Sequence, residues 1–177
     1  MEGYLHTIIG PMFSGKTSFL LHEMERLARS GKRVVLFTGD NREETPVIHS
    51  RRPIYKEIHI HRTRCASTMM ELALNYDVVG VDEVQFCEEN LHSALSTLAR
   101  EGKIVLASGL DQDYRMEPFM TTLRLIPESE KVTRLTSVCQ TCGSLNAIRN
   151  IRKVSSDQRV LEGAEDLYEV RCRKCGK

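Results

Sequence analysis

The chain has 177 residues, room for one domain of ordinary size and a small appendage. With 25 basic and 24 acidic residues its net charge is +1, so no global field recruits nucleic acid or an anionic membrane. No apolar run is long enough to span a bilayer, and Met1 to Gly10 lacks the charged-then-apolar layout of a secretory signal. A cytosolic setting is therefore expected, in which the six cysteines stay reduced and clustered ones read as metal ligands before disulfides.

In chain order, Tyr4 to Ile9 reads as an apolar strand, and Gly10, Pro11, Met12, Phe13, Ser14, Gly15, Lys16 and Thr17 follow it as G-x-x-x-x-G-K-[ST]. A helix from Lys16 to Ser30 completes the order that a phosphate-binding loop requires. The glycines let backbone N–H groups curl around a triphosphate, Lys16 reaches the β- and γ-phosphates, and the Thr17 hydroxyl holds Mg²⁺. A glycine turn without function would need neither the lysine nor the hydroxyl at these offsets.

Leu20, Met24, Leu27 and Ala28 form the buried stripe of that helix, which ends at Gly31. Arg33 to Thr38 is a buried-type strand. Thr38 to Pro53 is a polar surface loop, and Ile58 and Ile60 mark a short strand. A helix is expected from Thr68 to Tyr76, opened by a Thr68-x-x-Glu71 capping box. The strand from Asp77 to Val81 leads to Asp82 and Glu83. At a strand end beside a phosphate loop, Asp82 meets the Mg²⁺ hydration shell opposite Thr17, while Glu83 points elsewhere and can accept a hydroxyl proton or activate water. Leu91, Ala94, Leu95 and Leu98 define another helix, Lys103 to Ser108 another strand, and Pro118 starts a helix expected to run to about Pro127. Strands alternating with helices imply a parallel sheet covered on both faces.

Beyond about Ser137 the pattern changes to cysteines, polar loops and isolated Val or Leu. Residues 1–136 are thus expected to form the nucleotide-binding α/β domain and 137–177 a second unit. Cys139-x-x-Cys142 and Cys172-x-x-Cys175 are two knuckles separated by 29 residues. Four thiolates so spaced can close a structural zinc site, whereas a redox dithiol needs only one pair. A segment this small has no persuasive core, so the metal supplies its folding free energy. Cys65 and Cys87 stand alone and read as small buried hydrophobes. His59 and His61 share a strand face but lack a third ligand.

Jointly the phosphate loop, Asp82-Glu83-Val84-Gln85-Phe86, Gly109-Leu110-Asp111-Gln112-Asp113-Tyr114-Arg115 with Pro118-Phe119, and both cysteine pairs resemble the type II thymidine kinases, the zinc-containing cytosolic family. The resemblance spans almost the whole chain. It implies a P-loop NTPase-like α/β fold, a parallel sheet with flanking helices, plus a small C-terminal zinc-ribbon domain carrying a lasso loop. It implies transfer of the ATP γ-phosphoryl group to the 5′-hydroxyl of thymidine, and of deoxyuridine, in nucleotide salvage, by a homotetramer that uses Mg²⁺ and structural Zn²⁺. Glu83 corresponds to the family's general base, and Val84 and Gln85 accompany it in the nucleotide site. Val160, Leu161, Glu162, Gly163 and Ala164 correspond to the lasso that binds the base through main-chain groups, with Tyr168 packing on the substrate. Met12, Phe86, Leu110, Tyr114 and Phe119 correspond to the remaining pocket walls.

The chain departs from the family pattern in Thr38-Gly39-Asp40-Asn41-Arg42, where only Asp40 and Arg42 match. It also departs around His49-Ser50-Arg51-Arg52 and within Asn146 to Asn150, where a threonine beside the thymine methyl is replaced. A competing reading is a P-loop ATPase whose zinc ribbon grips nucleic acid. The near-neutral charge and the Gly109 to Arg115 segment argue against it.

Overall fold

The computed structural model describes residues 2–40, 58–161 and 166–176. The expected polar loop lies outside the described residues beyond Asp40, and so do Glu162, Gly163 and Ala164.

Among the described residues six strands form one sheet: β1 (Tyr4–Ile9), β2 (Val34–Thr38), β3 (His59–Arg62), β4 (Val78–Asp82), β5 (Ile104–Gly109) and β6 (Lys131–Arg134). Their order is β3-β2-β4-β5-β1-β6 and every pairing is parallel. The inner strands β1, β2, β4 and β5 are buried on both faces because both are covered, whereas the edge strands β3 and β6 are polar. On one face α1 (Lys16–Arg29) lays Leu20 and Met24 against Ile8, Leu36 and Leu106. On the other, Met69 of α2 (Ala66–Ala73) and Leu91, Leu95 and Leu98 of α3 (Leu91–Arg100) pack on Leu5, Phe37, Val79 and Val105. Leu36 and Phe37, adjacent in sequence, fall into different cores, as the twofold alternation of a strand dictates. No helix among the described residues is long and apolar enough to cross a membrane.

Several elements differ from expectation. The helix expected from Thr68 begins at Ala66 and has no side-chain cap of its own; the carboxylate of Glu88 accepts the Ala66 N–H at 2.9 Å instead. A distant acid thus replaces the local capping box. The helix expected from Pro118 shrinks to α4 (Met120–Leu123), followed by a single 3-10 turn at Ile126–Glu128. Pro118 is held extended because it pairs antiparallel with Gln112 across a tight turn, in which Asp113 N donates to Glu117 O at 2.9 Å and Phe119 N to Asp111 O at 3.1 Å. The edge strand β6 is too polar to announce itself by pattern. The cysteine-rich segment, read as loops, contains a hairpin of β7 (Ala147–Arg152) and β8 (Tyr168–Cys172), antiparallel and joined to Ser137 by a further bridge.

His6 in β1 is 1% exposed, shares a 2.9 Å hydrogen bond with Thr133 Oγ1 of β6 and meets the Phe19 ring edge-on. Burial, reinforced by Lys131, lowers its pKa from 6.5 to about 4. Above pH 6.5 the ring is neutral whether folded or unfolded; below it the unfolded chain takes up a proton that the folded ring refuses until about pH 4. Stability is therefore lost as pH falls through this window, by up to about 3 kcal/mol from this group. Urea unfolding between pH 7 and pH 4 is expected to show a shallower loss for His6→Gln than for the parent.

Candidate active site

In an open parallel sheet, ligands gather beyond the carboxyl ends of the strands. Strand order makes β4, β5 and β1 neighbours, so the three loops leaving their ends share one corner. The loop after β1 carries the phosphate-loop motif. Gly15, with φ 83, turns the chain into α1, and Lys16 follows directly, its Nζ 2.7 Å from Pro11 O. Burial pushes the Lys16 pKa down, opposed by Glu83, Asp82 and Asp111. Those three carboxylates offset part of the cost of burying the ammonium.

The end of β4 sends its two carboxylates to different places. Asp82 is 5% exposed and accepts the Thr17 hydroxyl at 2.7 Å, the Glu83 N–H at 3.0 Å and the Ser108 hydroxyl. Glu83 lines the adjacent cavity from a left-handed backbone conformation, φ 54 and ψ 44, which costs a non-glycine residue about 1 kcal/mol or more. Two features hold it there. Glu83 O accepts from Phe86 N at 3.1 Å, and Gly39 lies so close that a Cβ on it would stand 2.7 Å from that same oxygen. The Gln85 amide then clamps the side chain: its Nε2 donates to Glu83, and its Oε1 accepts the Leu110 N–H at 3.0 Å. Val84, expected in the nucleotide site, faces the apolar core with no exposed surface.

The cavity holds about 310 Å³, the lower end of the small-molecule range of about 300 to 1,000 Å³. Phe13, Gly15, Lys16 and Thr17 border it on the side of the glycine-rich loop, while Gly10, Pro11 and Ser14 lie outside its lining. Its other walls bring together Met12, Phe86, Leu110, Tyr114 and Phe119 with Val160, Leu161 and Tyr168, residues spread over more than 150 positions of sequence. The Tyr168 hydroxyl holds both main-chain groups of Leu161, accepting from its N at 3.1 Å and donating to its O at 3.2 Å.

Four lining residues were not among the expected site residues: Ser18, Asp113, Asn150 and Arg159. Asn150, in β7 and 3% exposed, accepts the Met12 N–H at 2.8 Å and donates to Gln112 O at 3.0 Å; Gln112 in turn donates to Ile148 O at 2.7 Å. One amide therefore ties the cysteine-rich unit to the phosphate loop. The only available signal was a polar residue at the inward position of a strand that had itself gone unread.

The four Sγ atoms of Cys139, Cys142, Cys172 and Cys175 lie within 4.8 Å of one another, with Cys142 and Cys172 at 3.8 Å. A tetrahedron with Zn–S bonds of about 2.3 Å has edges of about 3.8 Å, so the donor set fits zinc and leaves no open position. Cys87 is buried, which pushes its thiol up to about 12, whereas Cys65 is only half-buried at the start of α2. His59 packs on Tyr76 and His61 on Phe37, and neither belongs to the one candidate metal cluster among the described residues.

With this geometry established, comparison with known proteins is decisive. Residues 3–176 match the family model described as thymidine kinase. The chain belongs to the thymidine kinase family. It is 35% identical over 176 residues to a thymidine kinase of Amsacta moorei entomopoxvirus, covering 97% of this chain and 96% of the relative. It is 34% identical over 179 residues to a thymidine kinase of Pyrobaculum aerophilum, covering 96% of each. The flagellar accessory protein FlaH of Methanocaldococcus jannaschii shares the fold alone, with a TM-score of 0.56 and 11% identity over 75% of this chain and 71% of that one.

Elemental analysis is expected to find about one zinc per chain. Chelation is expected to raise amide exchange in β7 and β8 while β1 and β5 stay protected. Simultaneous loss of protection in both sheets would contradict a separate stabilising role for the metal.

Proposed function

We propose that the enzyme transfers the γ-phosphoryl group of ATP to the 5′-hydroxyl of thymidine, and of deoxyuridine, with Glu83 as general base. What supports this reading above all is that Glu83 and the phosphate loop border a single cavity whose remaining walls are mainly aromatic and aliphatic, with Gln85, Asp113, Asn150 and Arg159 set among them. In it the phosphate loop and Lys16 bind the triphosphate, and the pyrimidine lies among Met12, Leu110, Tyr114, Phe119, Val160, Leu161 and Tyr168. Lasso residues Glu162, Gly163 and Ala164 complete the base site. Gln85 holds Glu83 so that its carboxylate accepts the proton of the attacking hydroxyl. Catalysis is then mainly positioning and charge stabilisation.

Thr17 and Asp82 present the hard oxygen donors that suit Mg²⁺. When bound, that ion neutralises charge on the transferring phosphates. Zinc on the four cysteines has a structural role and keeps residues 137–177 together as a unit. A cytosolic homotetramer completes the proposal. Family membership does not favour the alternative of an ATPase gripping nucleic acid.

Transfer of label from γ-labelled ATP to a nucleoside panel tests the reading. Thymidine and deoxyuridine are expected to accept label and purine nucleosides to fail. Lys16→Ala is expected to abolish transfer in a folded protein, and Glu83→Gln to lower kcat by about 10² to 10⁴ with little change in ATP affinity. A nearly silent Glu83→Gln would remove it from the role of base.

A further inference from the structure

Arg159 belongs to none of the motifs that led to the site. Its Nε donates to Asp113 Oδ2 at 2.8 Å, its Nη2 to Pro118 O at 2.9 Å, and its guanidinium carbon lies 5.1 Å from the centre of the Phe119 ring. The pair is asymmetric: the Arg159 side chain is 47% exposed and that of Asp113 only 2%. A rim pair between two solvated groups would do little, but a buried carboxylate losing its partner is strongly penalised.

The other oxygen of Asp113 accepts the N–H groups of Arg115 at 2.8 Å and Glu117 at 3.0 Å, which shapes the turn presenting Tyr114 and Phe119. Arg159 leads directly into Val160 and Leu161. Its own carbonyl accepts from Arg152 Nη2 at 2.7 Å, and the Arg152 guanidinium stacks 3.8 Å from the Tyr114 ring centre. A single buried carboxylate therefore joins two opposing walls of the cavity that come from different parts of the chain.

We propose that Arg159 and Asp113 are a positioning pair for the nucleoside: they set the spacing between the Val160–Leu161 wall and the Tyr114–Phe119 wall, and so set nucleoside affinity separately from phosphoryl transfer. This rests on the reading above that the cavity takes the nucleoside. Arginine suits the role because its planar fork reaches the carboxylate and the Pro118 carbonyl together, which a lysine ammonium on a flexible stem does not.

The test uses the full-length, zinc-loaded protein, with thymidine and ATP varied independently and thymidine binding measured directly by calorimetry. Arg159→Ala is expected to raise the thymidine KM and Kd about 10- to 100-fold, with a smaller loss of kcat and an ATP KM within about twofold of the parent. Arg159→Lys is expected to fall between the two. Asp113→Asn combined with Arg159→Ala is expected to be no worse than the more damaging single change, as for two ends of one interaction. Phe119→Ala serves as the cavity control. If Arg159→Ala leaves the thymidine KM within about twofold while Phe119→Ala raises it, the positioning role is overturned and the cavity reading survives. If both are silent, the cavity reading falls and the proposal with it. An equal rise in both KM values would overturn the proposal in favour of general loosening.

Discussion

The hydrogen-bonded position of β5 between β4 and β1 is the constraint from which the site follows. Six paired residues lock β1 to β5 from Tyr4 with Ile104 to Ile9 with Gly109, and four lock β4 to β5 from Val78 with Ile104 to Val81 with Ala107. A slip of one residue would exchange the two faces of a strand and turn buried apolar groups toward the wrong core. The register therefore brings Asp82, Ser108 and the start of the phosphate loop to the same level. The bonds of Asp82 to Thr17 and Ser108 are a consequence of sheet pairing more than of local sequence.

A second layer of organisation comes from outside the sheet. The cysteine-rich unit is too small to bury much surface of its own; its core is Cys139, Ala147, Val170 and Cys172, with Met12 of the phosphate loop packed against it. The Asn150 amide adds hydrogen bonds to main-chain groups on both sides, and Ser137 Oγ donates to Phe13 O at 3.1 Å. The unit is thus seated on the glycine-rich loop between β1 and α1. Any displacement of β7 is felt at Met12, in the wall of the cavity.

The legible parts of the sequence were those carrying an unbroken physical signal. Continuous apolar runs gave β1, β2, β4 and β5 to within about a residue at their starts, the scatter usual for element ends. The fixed spacings of the phosphate loop and the cysteine pairs marked those residues because backbone curvature and tetrahedral coordination demand them. What stayed hidden depends on long-range partners. Glu88 caps α2 across 22 positions, the Gln112 pairing keeps Pro118 extended, and Asp113 meets Arg159 across 46. Such pairs leave no periodicity along the chain. The left-handed backbone at Glu83 was equally unreadable, since the residue type disfavours it and long-range and turn contacts, among them the close approach of Gly39 and the turn to Phe86, maintain it.

Closure of the cysteine quartet has a polymer-physics consequence. The 29 residues between the knuckles form a loop pinned at both ends, within which β7, β8 and the 159–161 segment are fastened. Val154 and Ser155 are exposed, between Lys153, whose N–H donates to Leu167 O at 2.9 Å, and the first carbonyl that Arg152 grips at Ser156. Doubling the length of a flexible loop costs only about 0.6 kcal/mol of closure entropy. Length added at this stretch is thermodynamically cheap, whereas a single residue inserted between Arg159 and Leu161 would break the phasing between the tethers of Arg159 and that of Leu161 to Tyr168. The same closed loop thus contains both a point free to lengthen and a segment held to fixed length.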